Sequence, residues 1–180
     1  MTGAVVFPGG TNGPYQPLLF YAAAAARARG AEIHRVTWPE PVYPTIFDPA
    51  NHQPFVDPVA AAALDAAGDR PLVIGKSLGT HAAVQAARRG LTAIWFTPML
   101  FAPEVVSALE AATAPFLLVG GTADTEYWDG AVARRLTPHL LEVEDADHMM
   151  MVPGPLSASA AVLGRIADVV ERFLDHNHFR

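Results

Sequence analysis

Cysteine is absent from the 180 residues, so no disulfide framework of the kind that staples small secreted enzymes is available. Positive charge is scarce too. Lysine occurs once, at Lys76, and 12 basic residues stand against 18 acidic ones, a formal net charge of −6. Nucleic-acid binding requires a basic face to neutralise phosphates, and none is present. A basic amphipathic stretch that would rest on a membrane surface is missing for the same reason. Long apolar runs are also lacking. The longest near-apolar stretch, Leu18 to Ala26, is too short to span a bilayer. The opening MTGAVVFPGG has no basic segment leading into a long apolar one, so no secretion signal is read. Together these features lead us to expect a soluble, cytoplasmic protein without nucleic-acid or membrane partners. Nothing in the sequence speaks to oligomeric state.

What is there is apolar and regularly punctuated. Hydrophobic residues make up 51% of the chain and its mean hydropathy is +0.22. That is enough to bury a core in one domain covering 1–180. Short β-branched or aliphatic runs alternate with alanine-rich helical ones. Strands are expected at Gly3–Phe7, Glu32–Trp38, within PLVIG, at Thr92–Thr97, Pro115–Val119 and His139–Val143. Pro17 opens a helix that Gly30 closes. Further helices are expected from Asp57, as cap with Pro58 at the first position, to Gly68, then at Leu78–Arg89, Pro103–Ala112, Asp129–Leu136 and Ser157–His176. The proline-dense segment 39–57 has neither a strand nor a helix period and reads as an ordered loop. Six strands alternating with helices imply an α/β fold, a mostly parallel sheet with helices on both faces.

Gly75-Lys76-Ser77-Leu78-Gly79 follows a buried strand and precedes a helix. This G-x-S-x-G setting is the one in which a serine sits on a sharp strand-to-helix turn with its hydroxyl exposed. A phosphate loop is excluded, because Arg70 stands where its first glycine belongs, and Thr11 and Pro14 break a dinucleotide fingerprint at Gly9. Lys76 is read as a solvated side chain beside the turn.

A nucleophilic Ser77 needs an acid and a base beyond later strands, in that order. Asp124 follows the strand FLLV, and His148 follows HLLEV. Asp129 and Glu126 are the competing acids, and Asp145 and Asp147 share the short loop of His148 and shape it. Among other histidines, His34 lies in a strand, His81 is structural, His176 and His178 are terminal, and His52 is the one that could approach the site. The N–H of Leu78 and that of Gly10, with Thr11 as alternative, would bind the developing oxyanion. Met99, Leu100, Phe101, Tyr127, Trp128, Met149 and Met150 follow strand ends and are candidates, with Thr11, for an acyl pocket. The acidic residues near His148 lack a metal-ligand spacing, so neither metal nor cofactor is expected.

Taken together, these residues resemble the α/β-hydrolase superfamily over nearly the whole chain. More narrowly they resemble its small, cap-less serine hydrolases of the dienelactone-hydrolase-like group. Pro8 stands where many of those have a histidine before the glycine pair, and the superfamily's first two antiparallel strands have no counterpart here. The resemblance implies a minimal α/β-hydrolase fold with the triad at Ser77, Asp124 and His148. Its site would be open, roofed at most by segment 39–57. The expected activity is hydrolysis of a small or medium-sized carboxylic ester through an acyl-enzyme. The alternatives are a thioesterase with the same triad and a non-hydrolytic lyase, cyclase or binding member of the fold.

Overall fold

The structure, a computed structural model, describes residues 3–40 and 47–177. Strands β1 (Gly3–Phe7), β2 (Glu32–Arg35), β3 (Leu72–Lys76), β4 (Ala93–Phe96), β5 (Phe116–Gly121) and β6 (Leu140–Val143) form one sheet in the order β2-β1-β3-β4-β5-β6. Every pairing is parallel. The reversal of strand order between β1 and β3 opens a crevice at the C-terminal ends of the strands, where open α/β sheets bind ligands.

Helices cover both faces: α1 (Pro17–Ala28), α2 (His52–Ala66), α3 (Ala83–Arg89), α4 (Pro103–Glu110), α5 (Gly130–Leu136) and α6 (Leu156–His176). The middle strands β1, β3, β4 and β5 are buried at every residue, which is why they read as continuous apolar runs. Alternate side chains nevertheless enter different layers. Val5, Phe7, Val73, Trp95 and Leu118 pack toward α2, α3 and α4, while Val6, Leu72, Ile74, Phe96 and Val119 pack toward α1 and α6. The small faces of Ala22, Ala23 and Ala26 let α1 lie close to the sheet. From the amphipathic α6, Val162, Ile166, Val170, Phe173 and Leu174 are buried. Among the described residues no helix is long and apolar enough to cross a membrane.

Three local expectations are corrected. Strand β2 stops at Arg35 rather than Trp38. Trp38 turns inward instead, donating its indole N–H to the Gly9 carbonyl at 3.1 Å, and Pro39 cannot extend a ladder. Helix α2 starts at His52, so Pro58 lies inside it and not at its first position. Asp57 does not cap; its carboxylate accepts from the side-chain amides of Gln53 (3.3 Å) and Gln85 (3.0 Å). Pro58 forgoes only its own N–H bond, and flanking turns carry the helix through. The helix after the G-x-S-x-G turn begins as 3-10 winding over Ser77–Ala82 before α3 continues to Gly90, whose φ of +60° closes it. Of segment 39–57, residues 41–46 lie outside the described residues, and the remainder includes a 3-10 turn at Pro49–Asn51 capped by Asp48.

Candidate active site

Strand β3 ends extended at Lys76, and the next residue, Ser77, takes a φ of +51°. A non-glycine residue held there stores about 1–3 kcal/mol of strain and persists only where its surroundings compel it. The two glycines of the motif show the compulsion. A side-chain carbon on Gly75 would come within 2.6 Å of the Trp95 ring, and one on Gly79 would collide with the Phe7 carbonyl. Thr80 anchors the turn, donating its hydroxyl to the Ser77 carbonyl at 2.6 Å and accepting the Met99 amide at 3.3 Å. The N–H of Leu78 lies in the first turn of the 3-10 helix, where amides have no intrahelical partner.

Asp124 lies in the turn after β5, with its amide bonded to the Gly121 carbonyl and its own carbonyl accepting from Tyr127 and Trp128. Its carboxylate is buried and meets Nδ1 of His148 at 2.8 Å. His148 stands on a tight loop after β6. There Asp147 Oδ1 accepts the amides of Met149 (2.8 Å) and Met151 (2.9 Å), and the Asp145 amide donates to Thr122 at 2.8 Å. The turns that carry Asp124 and His148 are joined directly, through Ala123 N–H to Ala146 O at 3.1 Å. Tyr127 lies against the imidazole, ring centres 4.4 Å apart, with Phe101 beyond it. Burial, and then the charges of Glu126 and Asp124, raise the Tyr127 hydroxyl above its ordinary pKa, so it stays protonated at neutral pH.

Asp129 caps α5, accepting the amides of Ala131 and Val132, while Glu126 is exposed at the rim.

Ser77 and His148 line one cleft of about 570 Å³, together with Leu78, Gly10, Thr11, Met99, Phe101 and Tyr127. Two anticipated residues are not there. Trp128 is buried with its ring over Gly120 and its indole N–H on Glu142 at 2.7 Å. Its amide donates to the Asp124 carbonyl at 2.8 Å, and the missing side chain of Gly120 makes room for the ring. Met149 lines a different cavity, because Asp147 holds its amide and directs the chain away from the cleft. Of the other candidates, Leu100 is buried in the layer toward α4, and Met150 in the opposite one.

Phe47, Pro49 and Glu126 line the cleft unforeseen as pocket residues, and His52 does reach it. His52 is 3% exposed, and among the described residues neither ring nitrogen has a hydrogen-bond partner. His81 is structural in contact: fully buried, it meets Gln53 at 3.0 Å, and burial followed by His52 lowers its pKa to about 4. Lys76 is corrected outright. It is 2% exposed, not solvated. It shares its strand face with Leu72 and Ile74, the face that packs on α1 and α6. Among the described residues no cluster of three or more His, Asp or Glu side chains could hold a metal ion.

The sequence matches no protein-family model and no curated protein. Its structure is similar to several solved ones. A dienelactone hydrolase from Anabaena variabilis superposes with a TM-score of 0.67 at 22% identity, covering 98% of this chain and 87% of that one. Est1E from Butyrivibrio proteoclasticus, solved with ferulic acid bound, gives 0.75 at 13% identity, covering 100% and 90%. A lidless α/β serine hydrolase from Xanthomonas campestris gives 0.55 at 18% identity, covering 96% and 81%. The chain therefore has the α/β-hydrolase fold, in a form like that of the dienelactone hydrolase.

Proposed function

We propose that this chain with an α/β-hydrolase fold is a serine hydrolase that cleaves a small or medium-sized carboxylic ester through an acyl-enzyme on Ser77. The observation that carries the reading is the Asp124–His148 pair at 2.8 Å, with His148 opening onto the same cleft as a serine held at φ +51°. Ser77 Oγ attacks the ester carbonyl carbon while His148 Nε2 takes the hydroxyl proton. Asp124 fixes the tautomer that bears its proton on Nδ1 and stabilises the imidazolium. The tetrahedral oxyanion is held by the N–H groups of Leu78 and Gly10. Collapse expels the alcohol, which takes the proton from His148. Water, deprotonated by the same nitrogen, then attacks the acyl-enzyme, releasing the acid and restoring Ser77.

Each residue's environment suits its task. The acid is desolvated, which strengthens its hold on the imidazolium. The base is backed by Tyr127, which excludes water from one face of the ring. The cleft's apolar wall of Met99, Phe101 and Tyr127 suits an acyl group without dictating a long one.

The test is turnover of oxygen esters and thioesters of graded acyl length, with quenched samples weighed intact. The proposal expects a transient adduct of acyl mass on Ser77 and a loss of roughly a thousandfold or more in kcat for Ser77→Ala and for His148→Ala. Serine-independent hydrolysis, or turnover with no acyl adduct, would overturn it; faster turnover of thioesters would move the substrate class to thioesters.

A further inference from the structure

The second cavity lies on the other side of the Ser77 turn, between the start of α1, the loop after His148 and the start of α6. It encloses about 510 Å³, a size usual for small-ligand sites, and among the described residues shares no lining residue with the cleft. Its wall is apolar: Leu18, Met149, Met150, Met151, Leu156 and Leu163. Against this wall stands Lys76, the chain's one lysine.

An ammonium group in such a place is expensive unless paired. The Lys76 ammonium forms no hydrogen bond or ion pair among the described residues. The negative groups that act on it, Asp124 and Asp147, do so from a distance, and both are engaged, Asp124 by His148 and Asp147 by the amides of Met149 and Met151. Among the described residues, no other residue lining the cavity carries a charge. The Gln16 carboxamide lines it too, with its oxygen buried and unpartnered. Half a turn about its last bond presents an NH₂ donor in the same place. At the mouth, Met149, Met151 and Leu156 are exposed, an apolar rim of the kind that marks ligand entry. Three successive methionines can repack around a flexible chain.

We propose that this cavity is a second ligand site for an aliphatic carboxylate, the carboxylate paired with the Lys76 ammonium and the chain laid against the methionine and leucine wall. One cation and a single apolar wall match a monoanion with a hydrocarbon tail. A phosphate dianion would leave negative charge unpaired in the same apolar surroundings. The site stands whether or not Ser77 is a nucleophile. Burial lowers the Lys76 pKa to about 8, so the site is charged at neutral pH, and carboxylate affinity falls as pH rises past that value. Asp124 and Asp147 are the charges facing the ammonium and oppose the fall.

The single lysine makes the test direct. Protein grown with ¹³C-lysine gives one side-chain lysine signal, which is followed while sodium octanoate or neutral 1-octanol is added. The expected result is a saturable shift of that signal with octanoate, a higher pH midpoint for Lys76 when octanoate is bound, and binding at least about tenfold weaker for octanol. Calorimetric titration, which needs no lysine signal, compares the variants: Lys76→Met should bind the two alike, and Leu163→Trp, which fills the cavity, should bind neither. Three results would each overturn the proposal: no saturable octanoate binding, equal octanoate affinity in wild type and Lys76→Met, or undiminished binding in Leu163→Trp, which would place octanoate outside this cavity.

Discussion

Without a bound anion, Lys76 should destabilise the fold at neutral pH, and replacing it with methionine should make the protein more stable. Burial brings its pKa from 10.5 down to about 8, which corresponds to about 3 kcal/mol of preference for the neutral amine. At about pH 7 the lysine is protonated in both the folded and unfolded states, so the full penalty applies. Between about pH 8 and 10.5 the unfolded chain binds more protons than the folded one, and stability therefore rises with pH across that window. Methionine has nearly the same volume and reach without the charge. Lys76→Met should accordingly gain about 2–3 kcal/mol at neutral pH, or roughly 5–10 °C in Tm for a chain of this length. Urea unfolding at about pH 7 and about pH 10 provides the assay. The gap between variant and wild type should shrink to under about 1 kcal/mol at the higher pH, because the wild-type lysine has by then lost its proton in the fold. A variant less stable than wild type at neutral pH would refute the reasoning, as would a gap that does not change with pH.

Two further perturbations probe the site's construction. Asp124→Asn preserves shape but leaves His148 without an anion at Nδ1, so kcat for ester turnover should fall about a thousandfold or more with little change in KM. Asp129→Ala should keep its turnover and lose about 1 kcal/mol of stability, as the loss of a helix cap does; the reverse pattern in the pair would make Asp129 the acid. Gly79→Ala would drive a methyl group into the carbonyls of Phe7 and Pro8. Thermal unfolding should report a loss of more than about 2 kcal/mol, and a near-neutral result would show that the turn is not as tightly packed as described.

The sheet was legible because its four middle strands are buried on both faces and its strands are separated by Gly and Pro, and these signals survive without knowledge of tertiary contacts. The G-x-S-x-G turn was legible for the same reason, its meaning supplied by the strand before it and the helix after it. The candidate acid and base followed from chain order and strand ends. Side-chain direction within a loop was harder to read. Trp128 and Met149 follow strand ends as Tyr127 does, yet the Trp128 ring fills the space left by Gly120 and Met149 lines a separate cavity. Three prolines hid the start of α2, since proline at 49, 54 and 58 looks like a loop until the turns around it are known to be helical. Lys76 misled by its charge. Its parity with Leu72 and Ile74, in a strand buried on both sides, was a signal already present in the sequence that placed it in the core.

The most direct test of the central claim is to label the folded chain with a fluorophosphonate and read intact mass and peptide map, beside Ser77→Ala and His148→Ala. The account predicts one adduct, on Ser77, absent from the serine variant and nearly absent from the histidine variant. A folded protein that takes no label, or takes it at another residue, would contradict an activated serine at the heart of this cleft.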